Sequence, residues 1–300
     1  MSARARRRAS LAALALSLMA GVAGAQSPSP GQLDSLPAKQ VFGAQKAPAP
    51  LAARSIGFYS KGCLAGAQAL PVNGATWQAM RLSRNRNWGH PNLIAFLERF
   101  SATVPQVSQW PGILVGDLSQ PRGGPMLTGH ASHQIGLDAD IWLTPMPKRA
   151  FTREEREKIS ATMIVRKDRR DVDAAVWTPS HIAVIKAAAQ DPEVERVLVN
   201  AAIKKALCRD ATGDRSWLQK VRPYWGHDYH MHVRLSCPEG AKDCRPQDPV
   251  TPGEGCGSEL DWWFSDANLN PKPPATPPKP KPPMLVKDLP PACREVVLAP

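Results

Sequence analysis

Two short stretches concentrate the residues able to do chemistry. Gly129-His130-Ala131-Ser132-His133-Gln134-Ile135-Gly136-Leu137-Asp138-Ala139-Asp140 and Trp225-Gly226-His227-Asp228-Tyr229-His230-Met231-His232 hold five of the chain's seven histidines. His133 lies seven residues before Asp140, with Gly136 between them to allow a turn. From Leu137 to Trp142 the pattern alternates as in a strand, with Asp138, Asp140 and Trp142 on one face and Leu137, Ala139 and Ile141 on the other. His230, His232 and Arg234 alternate in the same way with Met231, Val233 and Leu235, so two imidazoles project from one face of a second strand. Neutral imidazoles and a carboxylate suit zinc, and a catalytic zinc takes three protein ligands and a water. His133, Asp140 and His232 supply such a set, leaving His230 to move a proton or stabilise an oxyanion. The chemistry is metal-assisted hydrolysis. A histidine taken alone is more often packed or exposed than a ligand, and a structural zinc would fill its fourth position with protein, commonly cysteine. The spacing is not that of a His-Glu-x-x-His helix, because Ala131 follows His130 and His133 comes three residues later.

The elements that must position these residues are mixed in order. Pro91 suits the first turn of a helix in which Leu93, Ile94, Phe96, Leu97 and Phe100 are spaced as one face. Gly112 to Leu118 reads as a buried strand, and Pro121-Arg122-Gly123-Gly124-Pro125 as the loop leading to the first histidine stretch. Thr152-Arg153-Glu154-Glu155 has the form of a capping box. A helix from Thr178-Pro179, a strand from Val194 to Asn200 and a short helix from Ala201 follow. This order predicts an α+β fold in which a small central antiparallel sheet carries the metal ligands, flanked by helices and long loops.

Arg4, Arg6, Arg7 and Arg8, the short apolar run Leu11 to Ala20 and the small residues Ala23-Gly24-Ala25 form a secretory signal peptide over residues 1–25. An uncleaved anchor is the alternative, but the run is too short to span a bilayer. Residues 26–54, rich in Pro, Gln, Ser and Ala, read as a flexible arm, 55–268 as the catalytic zinc domain and 269–300 as a Pro/Lys-rich tail tethered through Cys293. In an oxidising compartment six cysteines without a Cys-x-x-Cys pair suggest disulfides. Fifteen pairings are possible, and the nested set Cys63–Cys293, Cys208–Cys256 and Cys237–Cys244 is favoured. The formal charge of +12 falls to +8 once the four signal arginines are removed. A basic surface favours anionic partners, but scattered basic residues on an exported chain exclude a recognisable nucleic-acid module.

At its histidine stretches the chain resembles the penicillin-insensitive murein endopeptidases, relatives of lysostaphin-type and D-Ala-D-Ala peptidases and of the hedgehog domain. The resemblance rests on Gly129-His130-Ala131-Ser132-His133-Gln134, Asp140 and His230-Met231-His232-Val233-Arg234, with Ser55-Ile56-Gly57, Lys61-Gly62-Cys63, Gly89-His90-Pro91 and Lys220-Val221-Arg222-Pro223 in support. It implies zinc held by His133, Asp140 and His232, with His230 as the catalytic histidine. His130 and His227 line the site, His227 counting with His230 on the catalytic side. It implies a periplasmic enzyme acting on peptidoglycan at the D-alanyl to meso-diaminopimelate cross-link, and the nested disulfides agree with the family pattern. It also implies a possible second metal position at His130, Asp168 and Asp171. A carboxylate there replaces a family histidine, and Arg166, Lys167, Arg169 and Arg170 oppose further positive charge, so a solvated charged loop is the competing reading. A D-Ala-D-Ala carboxypeptidase and a wall-binding module without catalysis are the alternative functions. Oligomeric state is not legible in the sequence.

Overall fold

The structure, a computed structural model, describes residues 30–274, 276, 279 and 281–300. The expected signal peptide and the first residues of the expected arm lie outside the described residues. A six-stranded sheet runs in the order Trp77–Ala79, Ile113–Val115, Asp138–Trp142, His230–Leu235, Val194–Val199 and Val221–Pro223. Its four inner strands pair antiparallel, whereas both edge strands join in parallel, so the expected antiparallel sheet is the centre of a mixed one. Side-chain alternation reports which face is buried and carries no information about a neighbour's direction. The class is α+β, as expected.

The inner face of the sheet is apolar. Ala139, Ile141, Met231 and Val233 are fully buried and pack in one cluster with Leu93, Phe96, Leu97, Val184, Ile185 and Ala188. The latter come from helices Pro91–Val107 and Pro179–Gln190. The first helix starts where Pro91 needs no donor, and His90 Nδ1 accepts from the Asn92 N–H as its cap. The expected capping box closes the helix Arg153–Lys158, with Thr152 and Glu155 exchanging hydrogen bonds. With its apolar face turned to the helices, the sheet presents Asp138, Asp140, His230, His232 and Arg234 on the opposite side. The pairing of the two central strands sets His232 opposite Asp140, Arg234 opposite Asp138 and His230 opposite Trp142.

The three disulfides form in the nested pattern. The two ends of the chain depart from expectation. The segment read as a loose arm contains helices Pro30–Asp34 and Ala38–Gly43, and Leu33, Ala38, Phe42 and Ala49 are buried. They form a second core with Ile56, Cys63, Val286, Leu289, Cys293 and Val296, so the distal part of the tail is folded too, as helix Ala292–Leu298. Arg122, itself buried, donates to the carbonyls of Ala47, Val296, Val297, Ala299 and Pro300 and satisfies the end of that helix. Gly124 has φ +76°, and a Cβ there would stand 2.2 Å from the Phe42 ring. A composition rich in Pro and Ala concealed a handful of apolar residues that are buried only because the two ends meet. Phe42→Ala is expected to lower the unfolding free energy by about 3–5 kcal/mol, the cost of emptying a filled core site. The check is chemical denaturation, and an unchanged midpoint would return this segment to the status of a loose arm.

Candidate metal centre

Asp140 stands at the middle of the histidine cluster. Its Oδ1 lies 3.3 Å from His133 Nε2, 3.2 Å from His232 Nδ1 and 3.6 Å from His230 Nε2, and its Oδ2 lies 3.4 Å from His130 Nδ1. His227 completes the group, its ring centre 4.7 Å from that of His230. The strand register brings His232 and His230 to Asp140, whereas His130 and His133 arrive from the loop between Gly129 and Gly136. That loop is tightly shaped: Gly129 and Gly136 have φ of +84° and +73°, and His133 itself sits at φ +66°. A Cβ on Gly136 would come within 2.5 Å of Leu64 and 2.8 Å of the His90 nitrogen, so only glycine fits.

Asp138 holds this arrangement in place. Fully buried, it accepts from the backbone N–H of His133 at 2.9 Å, from His232 Nε2 at 2.9 Å and from Arg234 Nε at 2.7 Å. The first bond supports a left-handed histidine, and the second turns Nδ1 of His232 toward Asp140. Arg234 in turn lies over the Tyr59 ring at 4.1 Å. Burial opposes a charge on Asp138, but Arg234 and His232 outweigh it and keep the carboxyl well below the usual carboxylate range. Burial likewise opposes charge on His232, and the carboxylates of Asp138 and Asp140 overcome it, pushing the imidazole up to about 9. His133 and His230 are driven the other way by burial, with Asp140 opposing. His227 is lowered to about 4, first by burial and then by its histidine neighbours.

Among the described residues, both ring nitrogens of His133, Oδ1 of Asp140 and Nδ1 of His230 are buried without a hydrogen-bond partner. Each such atom left unpaired costs about 1–3 kcal/mol, and four on three neighbouring side chains mark a place built for something else. The donors fit a metal ion. Ligands about 2.0–2.1 Å from a tetrahedral zinc stand about 3.4 Å apart, close to the separations of His133 and His232 from Asp140 Oδ1. The ligand atoms of His130, His133 and Asp140 also lie within 4.8 Å of one another, so His130 competes with His232 for a place in the set. His232 Nδ1 shares Oδ1 with His133, whereas His130 Nδ1 faces the other oxygen of Asp140. Carboxylate support of the far ring nitrogen, Asp138 for His232, is the usual partner of a metal-binding imidazole.

Asp168 and Asp171 are not brought to His130. Asp168 is paired with Arg166, and Asp171 with Arg209 at 2.9 Å and Lys205 at 3.6 Å. Of the basic residues that opposed a second metal in the sequence, Arg166 has taken up Asp168, whereas Asp171 is held by Arg209 and Lys205 of the helix Ala201–Asp210. His130 Nε2 is bonded instead to Asp117 at 2.9 Å, a residue the sequence did not single out. Burial works against the charge of Asp117, yet its bonds to His130 and Arg86 and the proximity of Arg84 bring it down to about 2. Asp138 had a visible signal, since it shares the face of Asp140 two residues away. Asp117 had none, because only folding places it beside the histidine loop. Asp138→Asn is expected to cost about 3–5 kcal/mol of stability, because Arg234 is left buried without its counter-charge, and in the folded protein to weaken metal binding about 10–100-fold, the usual effect of losing such a support. Competition with a chromophoric chelator measures it, and unchanged affinity would show that Asp138 does not orient His232 for a metal.

Comparisons with known proteins identify the family. A family described as penicillin-insensitive murein endopeptidase matches residues 55–298. Proteins named penicillin-insensitive murein endopeptidase are similar along most of the chain. One from Haemophilus influenzae is 47% identical over 231 residues, covering 76% of this chain and 80% of the relative. One from Klebsiella pneumoniae is 45% identical over 245 residues, covering 82% and 86%, and one from Yersinia pestis is 46% identical over 230 residues, covering 77% and 83%. With its histidine cluster intact and the match running through both terminal disulfide partners of the second core, the chain belongs to the penicillin-insensitive murein endopeptidase family of metallopeptidases.

Proposed function

We propose that this protein is a zinc-dependent endopeptidase of the periplasm that hydrolyses the D-alanyl to meso-diaminopimelate cross-link between peptidoglycan stem peptides. The observation that carries this reading is the approach of His133 Nε2 and His232 Nδ1 to the buried Asp140 Oδ1, at 3.3 and 3.2 Å, with His230 Nε2 at 3.6 Å from the same oxygen. His133, Asp140 and His232 hold the zinc. Bound zinc supplies Lewis acidity and makes water a competent nucleophile near neutral pH. His230 is kept neutral by burial, so a ring nitrogen is free to take a proton and return it to the departing amine. The His227 ring lies beside that of His230, tilted by 38°, and is anchored by a bond between its Nδ1 and the Trp225 carbonyl at 2.8 Å. A cavity of about 310 Å³ lined by Asp140, His130, His230, Trp142 and Tyr229 gives the peptide access to this edge of the cluster.

This assignment accounts for indifference to penicillin. A β-lactam acylates a nucleophilic serine, and hydrolysis by a metal and a histidine needs none. Secretion follows from the signal peptide read in residues 1–25 and from the location of the substrate. Among the described residues no helix is long and apolar enough to cross a membrane.

The test is incubation with cross-linked muropeptide dimers, with and without a chelator, and identification of products by mass. Chelator-sensitive conversion of dimers to monomers is expected. Release of free D-alanine alone would make the enzyme a carboxypeptidase, and intact dimers with a full complement of zinc would leave only wall binding. His133→Ala is expected to remove zinc and activity together. His230→Ala is expected to keep zinc and lose about 10²–10⁴-fold in turnover, the range for a lost acid–base group. Equal zinc loss in the two variants would show the roles to be wrongly assigned.

A further inference from the structure

The turn Leu82–Arg84 is held in an unusual shape at the mouth of the metal cavity. Arg81 and Asn85, on either side of it, have φ of +55° and +52°, a region that side chains other than glycine enter at a cost of about 1–2 kcal/mol. Such strain persists only where surrounding bonds over-determine it, and here they do. The Arg81 guanidinium donates to the carbonyls of Arg156, Glu157 and Ile159 and lies over the Trp142 ring. Ser83 gives both its N–H and its hydroxyl to the Glu157 carboxylate at 2.8 Å. What the clamped turn presents is Arg84, which lines the same cavity as His130, Asp140 and His230.

Several donors crowd onto one carboxylate at this spot. One oxygen of Asp117 receives Arg84 Nη1 at 3.0 Å, Arg86 Nη1 at 2.8 Å and His130 Nε2 at 2.9 Å, so a single carboxylate serves two guanidinium groups and an imidazole. Arg86 is nearly buried and gives its other arm to Thr128, whereas the Arg84 side chain is 48% exposed and makes one hydrogen bond among the described residues, from Nη1 to Asp117. Arg81 is satisfied by neutral carbonyls. Arg84 is therefore the guanidinium of this wall with donors to spare, and it borders the space beside the histidine cluster. A guanidinium with free donors is suited to a carboxylate, which it can take in two parallel hydrogen bonds.

We propose that Arg84 is a substrate-binding residue that recognises the free carboxylate next to the scissile amide on the leaving-group side. This rests on the endopeptidase reading above. In the cross-link, the amide nitrogen is attached to a diaminopimelate carbon that itself bears a carboxylate, so that anion must enter the cavity whenever the scissile carbonyl reaches the metal ligands. A terminal D-alanine carries a carboxylate at the same place. Arg84 thus selects amides whose leaving amine is an α-amino acid and sets the direction in which the peptide lies.

The experiment compares two purified cross-linked tetrapeptide dimers, one with this diaminopimelate carboxylate free and one with it converted to the carboxamide, using the zinc-loaded full-length mature protein. Wild-type protein is expected to lose about 10–100-fold in kcat/KM on amidation, the size of a charge-assisted pair. Arg84→Gln is expected to lose a similar factor on the free carboxylate, mostly in KM, and little more on the carboxamide, so that the two dimers become equal. Arg84→Lys is expected to restore part of the preference, which a merely structural role would not do. Zinc content and melting temperature of each variant separate these effects from misfolding. Equal cleavage of both dimers by wild-type protein, or undiminished preference in a folded Arg84→Gln, overturns the carboxylate assignment alone. Wild-type protein that cleaves neither dimer overturns the endopeptidase reading and this one with it.

Discussion

The buried carboxylate of Asp138 is the interaction on which the site depends. It receives the backbone of one expected ligand, the ring of another and the Arg234 guanidinium. A charged carboxylate excluded from water is stable only when its lone pairs are met by donors of opposite charge. Here each donor is itself a part whose position matters. Arg234 locks the register of the two central strands, His232 gains a fixed tautomer and direction, and the left-handed turn at His133 is tied down. A loop and two strands that share no local sequence are thereby made into one rigid set of donors facing Asp140.

The sheet makes that set possible by dividing its faces. Alternation puts Ala139, Ile141, Met231 and Val233 under the helices, where burial of apolar surface stabilises the fold. The same alternation forces Asp138, Asp140, His230 and His232 to the other side, where polar groups must find partners in one another. Around this centre the ends of the chain close as a second small core, joined by Cys63–Cys293 and by Arg122. The loop that carries His130 and His133 begins only a few residues after Gly124, against which Phe42 packs. Folding of the termini and shaping of the histidine loop are therefore physically continuous.

Much of the site was legible in the chain itself because its signals are local. A histidine and an aspartate at the spacing of a turn and a strand, and two histidines two residues apart, announce their faces without any knowledge of the fold. The α+β class, the capping box at Thr152 and the helix beginning at Pro91 were readable for the same reason. The termini were misread because their apolar residues, Leu33, Phe42, Val286 and Val296 among them, are sparse and without period. They gain meaning only from a partner more than two hundred residues away. Asp168 and Asp171 show the opposite situation, in which residues of metal-binding type lie near the histidine stretch in sequence but are paired with Arg166, Arg209 and Lys205 in space, in keeping with the reading as a charged loop.

Sequence alone determined which residues can bind a metal, which face of each strand they occupy and which family the motifs resemble, because residue chemistry and side-chain period are properties of neighbours along the chain. Tertiary structure alone decided that His232 lies opposite Asp140, that Asp138 supports both ligand-bearing elements, and that Asp117 and the turn at Arg84 enter the same cavity. Strand register, burial and the balance of charge are set by contacts between distant segments, and no local pattern encodes them.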